Sequence, residues 1–139
     1  VSGDKISIES LQNILKKDKK KSIILPVSAP FHCSLMKNAA EKMKDKIFSI
    51  KFNQPKKEII SNVTALPETD KENIKKLLIE QIYSKVRWRE TILYMENNGI
   101  NEFIEIGPGK VLSGLVKRIT KNRVSLSINS IEDIKNISK

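Results

Sequence analysis

The stretch LPVSAPFHCSLM, residues 25 to 36, holds the only histidine and the only cysteine of a 139-residue chain, His32 and Cys33. A metal site is a poor reading of this pair, because no second histidine or cysteine exists to complete a zinc ligand set. A Cys33–His32 dyad is equally poor, since neighbouring residues rarely turn both side chains to one point. What remains is a general base or a structural imidazole. His32 lies in a proline-containing loop between an apolar run and a helical pattern, and α/β sheets place their chemistry in such loops. The residues alone identify no nucleophile for it to activate.

A second motif, Gly107-Pro108-Gly109, falls between an apolar strand pattern and a helical one. Such a turn can offer backbone N–H groups to an anion. It lacks both G-x-G-x-x-G and G-K-[ST], however, because Lys110-Val111 follows the second glycine. A tight turn in which glycine relieves backbone crowding is the better reading.

These motifs need elements to hold them. Apolar Ile8, Leu11, Ile14 and Leu15 mark one helical face, and a lysine run follows at 16–21. Residues 22–27 read as a buried strand entering the His32 loop. Leu35, Met36, Ala39, Ala40, Met43 and Ile47 then form a helical stripe over residues 34–50. Residues 58–63 read as a strand and 64–68 as a loop. Thr69 or Asp70 caps a helix with Ile74, Leu77, Leu78 and Ile82 inward. Trp88, Ile92 and Met95 mark another helix that stops at Asn97-Asn98-Gly99. Residues 102–106 form a strand, Val111 to Ile119 a helix, Val124 to Ile128 a last strand, and the tail a short helix. The alternation predicts an α/β layered sheet with helices on both sides.

At this length a folded chain buries roughly 68% of its unfolded surface, so an independent core is feasible. With 39% apolar and 30% charged residues the composition is that of a globular protein. No apolar run approaches the ~20 residues of a membrane span, and no signal peptide is evident. A single cysteine forms no internal disulfide, which favours a cytoplasmic setting. The net charge of +10 comes mostly from lysine, with arginine only at 87, 89, 118 and 123. Nucleic-acid sites interleave aromatics and arginine with their lysines, and the run at 16–21 does not. It reads as a solvated turn, with no nucleic acid as partner. The chain opens on valine, within what reads as the end of a strand, a turn and a helix, which suggests a piece of something longer.

Taken together, LPVSAPFHCSLM, EQIYSKVRW and EIGPGKVLSGLVKRI closely resemble the C-terminal portion of the malonyl-CoA:acyl carrier protein transacylases, in order and in spacing. FNQP at 52–55 and SNV at 61–63 match in character as well. The resemblance implies an α/β-hydrolase-like catalytic domain with an inserted ferredoxin-like subdomain. Residues 1–25 would end that insertion, and residues 26–139 would be the C-terminal part of the catalytic domain. The family's nucleophilic serine sits in a GHSxG elbow, and this sequence holds no G-x-S-x-G. Its malonate-binding arginine would also lie upstream of Val1.

Carried over by position, His32 matches the family's catalytic base. Gln81 matches the residue whose backbone carbonyl orients that imidazole. Phe31 goes with a preference for malonyl, because its ring leaves little room for an α-methyl group. Asn62 and Val63 match a loop lining the acyl pocket, and the Gly107 turn matches a structural hallmark. The resemblance implies malonyl-CoA as substrate, acyl carrier protein as partner, no cofactor, no metal and a monomer. Lys37, Lys110, Lys117 and Arg118 become candidates for steering the acidic carrier protein. Two other readings remain: a non-catalytic carrier-protein-binding module, and the acyltransferase domain of a larger synthase. A piece without its central strands would leave apolar edges uncovered, with poor solubility or marginal stability.

Overall fold

Asp4 opens the first helix: its side chain accepts the Ser7 N–H at 2.9 Å, and α1 runs Lys5–Lys17. In this computed structural model, residues 1–120 and 124–137 are described. Lys19 takes the left-handed conformation (φ 55°) just past α1. That lets the Lys19 and Lys20 N–H groups close onto the Lys16 and Leu15 carbonyls at 3.1 and 2.8 Å. This double closure is the usual glycine-type helix stop, here built on lysine. The lysine run is therefore a helix-terminating turn, with Lys16 and Lys17 in the last turn of α1, where positive charge suits the carbonyl end of the helix.

The chain divides into two compact units, Val1–Val86 and Arg87–Lys139. In the first unit, a single 3-10 turn at Ser34–Met36 leads into α2 (Lys37–Ser49), which packs on α3 (Lys71–Glu80). Ala40 is buried in α2, Ile74 and Ile79 in α3. The cap of α3 is Asp70 rather than Thr69, its carboxylate accepting the Asn73 N–H at 2.7 Å. Lys75 is also buried, with its ammonium 5.4 Å from the Phe52 ring centre, 6.0 Å from that of Phe48 and 3.5 Å from the Glu72 carboxylate. Two π faces and a carboxylate offset its lost hydration.

Three sequence expectations change here. Residues 22–27 join no sheet: Ile23 is 71% and Leu25 68% exposed, because no described strand pairs with this run. The apolar face expected of α1 is found half-buried at Ile8, Leu11 and Leu15 with Ile14 exposed, while Val1 to Asp4 form no strand. The expected strand at 58–63 shrinks to β1 (Ile59–Ile60). Part of the expected loop becomes β2 (Pro67–Glu68), paired antiparallel with β1. Pro67 has no N–H to donate, which keeps the ladder short. Between the two strands, Ala65 sits buried in the left-handed region (φ 57°).

In the second unit α4 (Trp88–Asn97) ends at Asn98-Gly99. Gly99 has φ 84°, and the N–H groups of Gly99 and Ile100 close onto the Glu96 and Met95 carbonyls. β3 (Glu102–Ile106), α5 (Val111–Ile119) and β4 (Val124–Ile128) form a parallel strand–helix–strand unit, with Glu102 opposite Val124 and Ile106 opposite Ile128. α6 (Ile131–Ile137) follows. The core of this unit is Ile92, fully buried, and Val116. The architecture is α/β as expected. A layered sheet is not found, for the described residues hold only two two-stranded sheets.

Candidate active site

The His32 loop is pinned to the C-terminal end of α3 at two points. The backbone N–H of His32 donates to the Ile82 carbonyl at 3.3 Å, and its Nδ1 lies 2.9 Å from the Gln81 carbonyl oxygen. A carbonyl can only accept, so Nδ1 carries a proton, and this is the tautomer that turns Nε2 outward as the ring's acceptor position. Gln81 caps α3, and the helix leaves its last carbonyls without intrahelical partners. The histidine uses one of them.

Placing the ring there requires an uncommon backbone. His32 adopts φ 61°, a left-handed conformation that side-chain-bearing residues seldom take. The surrounding bonds hold it: Phe31 N–H donates to the Ala29 carbonyl, and the Cys33 thiol donates to the Pro30 carbonyl at 3.1 Å. Cys33 therefore points back into its own loop, which disposes of the dyad. Both His32 and Phe31 are exposed.

Asn62 comes from the β1–β2 connection, and its side-chain amide donates to the Gln81 side chain at 3.4 Å. Three separate segments, around residues 32, 62 and 81, thus meet at one point. Phe31 adjoins it through the chain, and no contact is shown between its ring and Asn62. Lys37 holds its ammonium 5.8 Å from the ring centre of Tyr83, which follows the Gln81 turn. Sequence reasoning missed the Ile82 carbonyl as a second anchor, because a backbone acceptor carries no residue-type signal. It also missed Tyr83, whose aromatic ring within EQIYSKVRW was the available sign.

The Gly107-Pro108-Gly109 turn lies in the second unit, and its helix terminus is already occupied. The Glu105 carboxylate accepts the Leu112 N–H at 3.0 Å and the Ser113 N–H at 2.8 Å. Those bonds, that to Ser113 foremost, hold the Glu105 carboxyl below its ordinary range. Gly107 (φ 138°) and Gly109 (φ 97°) need their freedom, and the Gly109 N–H is bound by the Asn129 side chain at 2.6 Å. An anion would have to displace a carboxylate here. Among the described residues no group of three or more metal-ligating acids, histidines or cysteines occurs, and no helix is long and apolar enough to cross a membrane.

Comparison with solved structures gives the class first. The chain matches an acyl-carrier-protein S-malonyltransferase from Bartonella henselae with a TM-score of 0.91 at 40% identity, over 97% of this chain and 43% of that one. It also matches a malonyl-transacylase in complex with its type II PKS acyl-carrier protein, with a TM-score of 0.88 at 35% identity, over 96% and 44%. Among curated proteins, the malonyl CoA-acyl carrier protein transacylase of Bacillus subtilis is 42% identical over 135 residues, 96% of this chain and 43% of its own length. No protein-family profile matches. The chain belongs to the malonyl-CoA:acyl carrier protein transacylase family. It spans about two fifths of the length of the curated relatives it matches.

Proposed function

We propose that this chain is the histidine-bearing, C-terminal part of a malonyl-CoA:acyl carrier protein transacylase. Residues 1–25 end a ferredoxin-like insertion, and residues 26–139 belong to an α/β-hydrolase-like catalytic domain whose serine lies elsewhere in the fold. The observation that carries the reading is the 2.9 Å contact between His32 Nδ1 and the Gln81 carbonyl, which leaves Nε2 without a partner among the described residues. A base oriented through one nitrogen and open at the other is what an activated hydroxyl requires.

In the proposed cycle, His32 Nε2 takes the serine proton as the oxygen attacks the thioester carbonyl of malonyl-CoA. The carbon–sulfur bond breaks, and the imidazolium returns the proton to the departing CoA thiolate. The phosphopantetheine thiol of acyl carrier protein then gives its proton to His32. The resulting thiolate attacks the malonyl-serine ester, and the serine oxygen leaves with the proton from the imidazolium. Gln81 acts through its main-chain carbonyl alone. Asn62 steadies the Gln81 side chain and borders the acyl pocket, while Phe31 limits substitution at the α-carbon. Lys37, Lys110, Lys117 and Arg118 supply positive charge for an acidic carrier protein, an exposed arrangement suited to steering. The solved complex of a relative with its acyl-carrier protein supports that partner class. The reaction needs no cofactor beyond the CoA thioester itself, and the protein works as a cytoplasmic monomer.

The test joins this chain to the serine-bearing part of the family fold and follows malonyl transfer to acyl carrier protein. Transfer that depends on His32 supports the proposal. Transfer unaffected by its removal contradicts it.

A further inference from the structure

Lys37 is the first residue of α2, and no acidic residue stands in that first turn. The N-terminal end of a helix carries partial positive charge, so a cation is poorly placed there. Its ammonium lies 5.8 Å from the ring centre of Tyr83, within the reach over which a π face attracts a cation. Tyr83 is half-buried, and its N–H donates to the Glu80 carbonyl at 3.2 Å, so its backbone belongs to the wound end of α3. His32 and Lys37 are thus tied to three consecutive residues, Gln81, Ile82 and Tyr83. The His32 N–H bond to Ile82, at 3.3 Å, is long for a backbone hydrogen bond. A left-handed residue other than glycine persists only where its surroundings over-determine it, and His32 has φ 61°. Between His32 and Lys37 stand only Cys33 and the 3-10 turn Ser34–Met36, closed by the Met36 N–H on the Cys33 carbonyl at 3.0 Å. The start of α2 therefore carries the histidine loop with it.

We infer that Lys37 and Tyr83 form a clip that holds the first turn of α2 to the end of α3, and so keeps His32 in its left-handed state with Nδ1 on the Gln81 carbonyl. Both are positioning residues, acting through the His32 backbone rather than on reacting atoms. The clip works through the charge of Lys37 and the π face of Tyr83, not through the tyrosine hydroxyl. Its effect on turnover rests on the proposed function, whereas its effect on the His32 ring does not. The role also differs from steering an acidic carrier protein. Steering needs the charge of Lys37 without the ring of Tyr83, and it acts only when the carrier protein is present.

The experiment reads the His32 ring of this chain by long-range proton–nitrogen correlation, at a pH where the ring is neutral, in Lys37→Met, Tyr83→Leu and Tyr83→Phe. Lys37→Met and Tyr83→Leu should each raise the Nε2-protonated form by about 2- to 5-fold, the size of an exposed cation–π contact, and the double variant no further. Tyr83→Phe keeps the π face and should keep the parent pattern. Should Tyr83→Leu lose its fold by circular dichroism, Lys37→Met carries the test, since that side chain is exposed. The parent pattern in Lys37→Met would overturn the inference, as would equal shifts in Tyr83→Phe and Tyr83→Leu. In a serine-containing protein, with no carrier protein present, the maximal rate of malonyl loading from malonyl-CoA should fall by about 2- to 5-fold in Lys37→Met, at an unchanged half-saturating concentration. A shifted ring with unchanged loading would uphold the clip and contradict His32 as the base. Slower transfer to the carrier protein with an unshifted ring would overturn the clip and leave Lys37 a steering charge.

Discussion

The Nδ1 of His32 meets the main-chain carbonyl of Gln81 at 2.9 Å, across 49 residues of sequence. The bond joins a loop in a strained backbone state to the end of a helix. It uses an acceptor that no side-chain substitution at 81 removes. Gln81→Ala should therefore leave malonyl transfer near the wild-type rate in a serine-containing protein, measured by steady-state kinetics. A loss as large as that from removing His32 would assign the chemistry to the Gln81 side chain instead.

The same bond fixes a tautomer. His32 is the only histidine, so its ring nitrogens give unambiguous NMR signals. At a pH where the ring is neutral, long-range proton–nitrogen correlation should show Nδ1 protonated and Nε2 bare. The reverse pattern would break the link to Gln81.

Glu105 gives a pH prediction. Its carboxyl sits below the ordinary value because the Ser113 and Leu112 N–H groups bind the anion. The folded state therefore binds its proton less readily than the unfolded state. The stability it contributes is present above the ordinary carboxylate pKa of about 4.3 and is lost as pH falls through the lower folded value. Acid titration of the thermal midpoint should show that decline, and Glu105→Gln should flatten it. An equal slope in both proteins would place the acid sensitivity elsewhere, for instance at Asp4 or Asp133, whose carboxyls are held low by similar backbone bonds.

Among the described residues, Ile92 is the one large side chain that is completely buried. Ile92→Ala should lower the unfolding free energy by about 2–5 kcal/mol, read from denaturant melts. A change under about 0.5 kcal/mol, the size of an ordinary surface substitution, would mean that α4 contributes no real core.

Much of this was legible in the sequence, and the lapses share a cause. The α4 stop at Asn98-Gly99 and the β3–α5–β4 unit follow from local patterns, and both are found. Asp70 against Thr69 at the α3 cap turned on a single side-chain bond that propensity could not rank. The 22–27 run was read as a buried strand from its apolar residues. Burial, however, needs a partner, and none stands among the described residues. At the candidate site, residue type drew attention to His32. The contact with Gln81 and the left-handed φ came from tertiary geometry, which composition does not encode. The family resemblance, not spacing, brought residues 81 and 62 into view beside it. The Glu105 clasp on α5 was missed because a strand carboxylate reaching a following helix leaves no fixed sequence interval.

The most direct measurement is malonyl transfer from malonyl-CoA to acyl carrier protein by a polypeptide uniting this chain with the serine-bearing part of the fold, with and without His32→Ala. The account predicts robust transfer in the parent and a loss on the order of 10³-fold or more in the variant. Equal turnover in the two proteins would contradict it, and would leave His32 a structural imidazole tied to the end of α3.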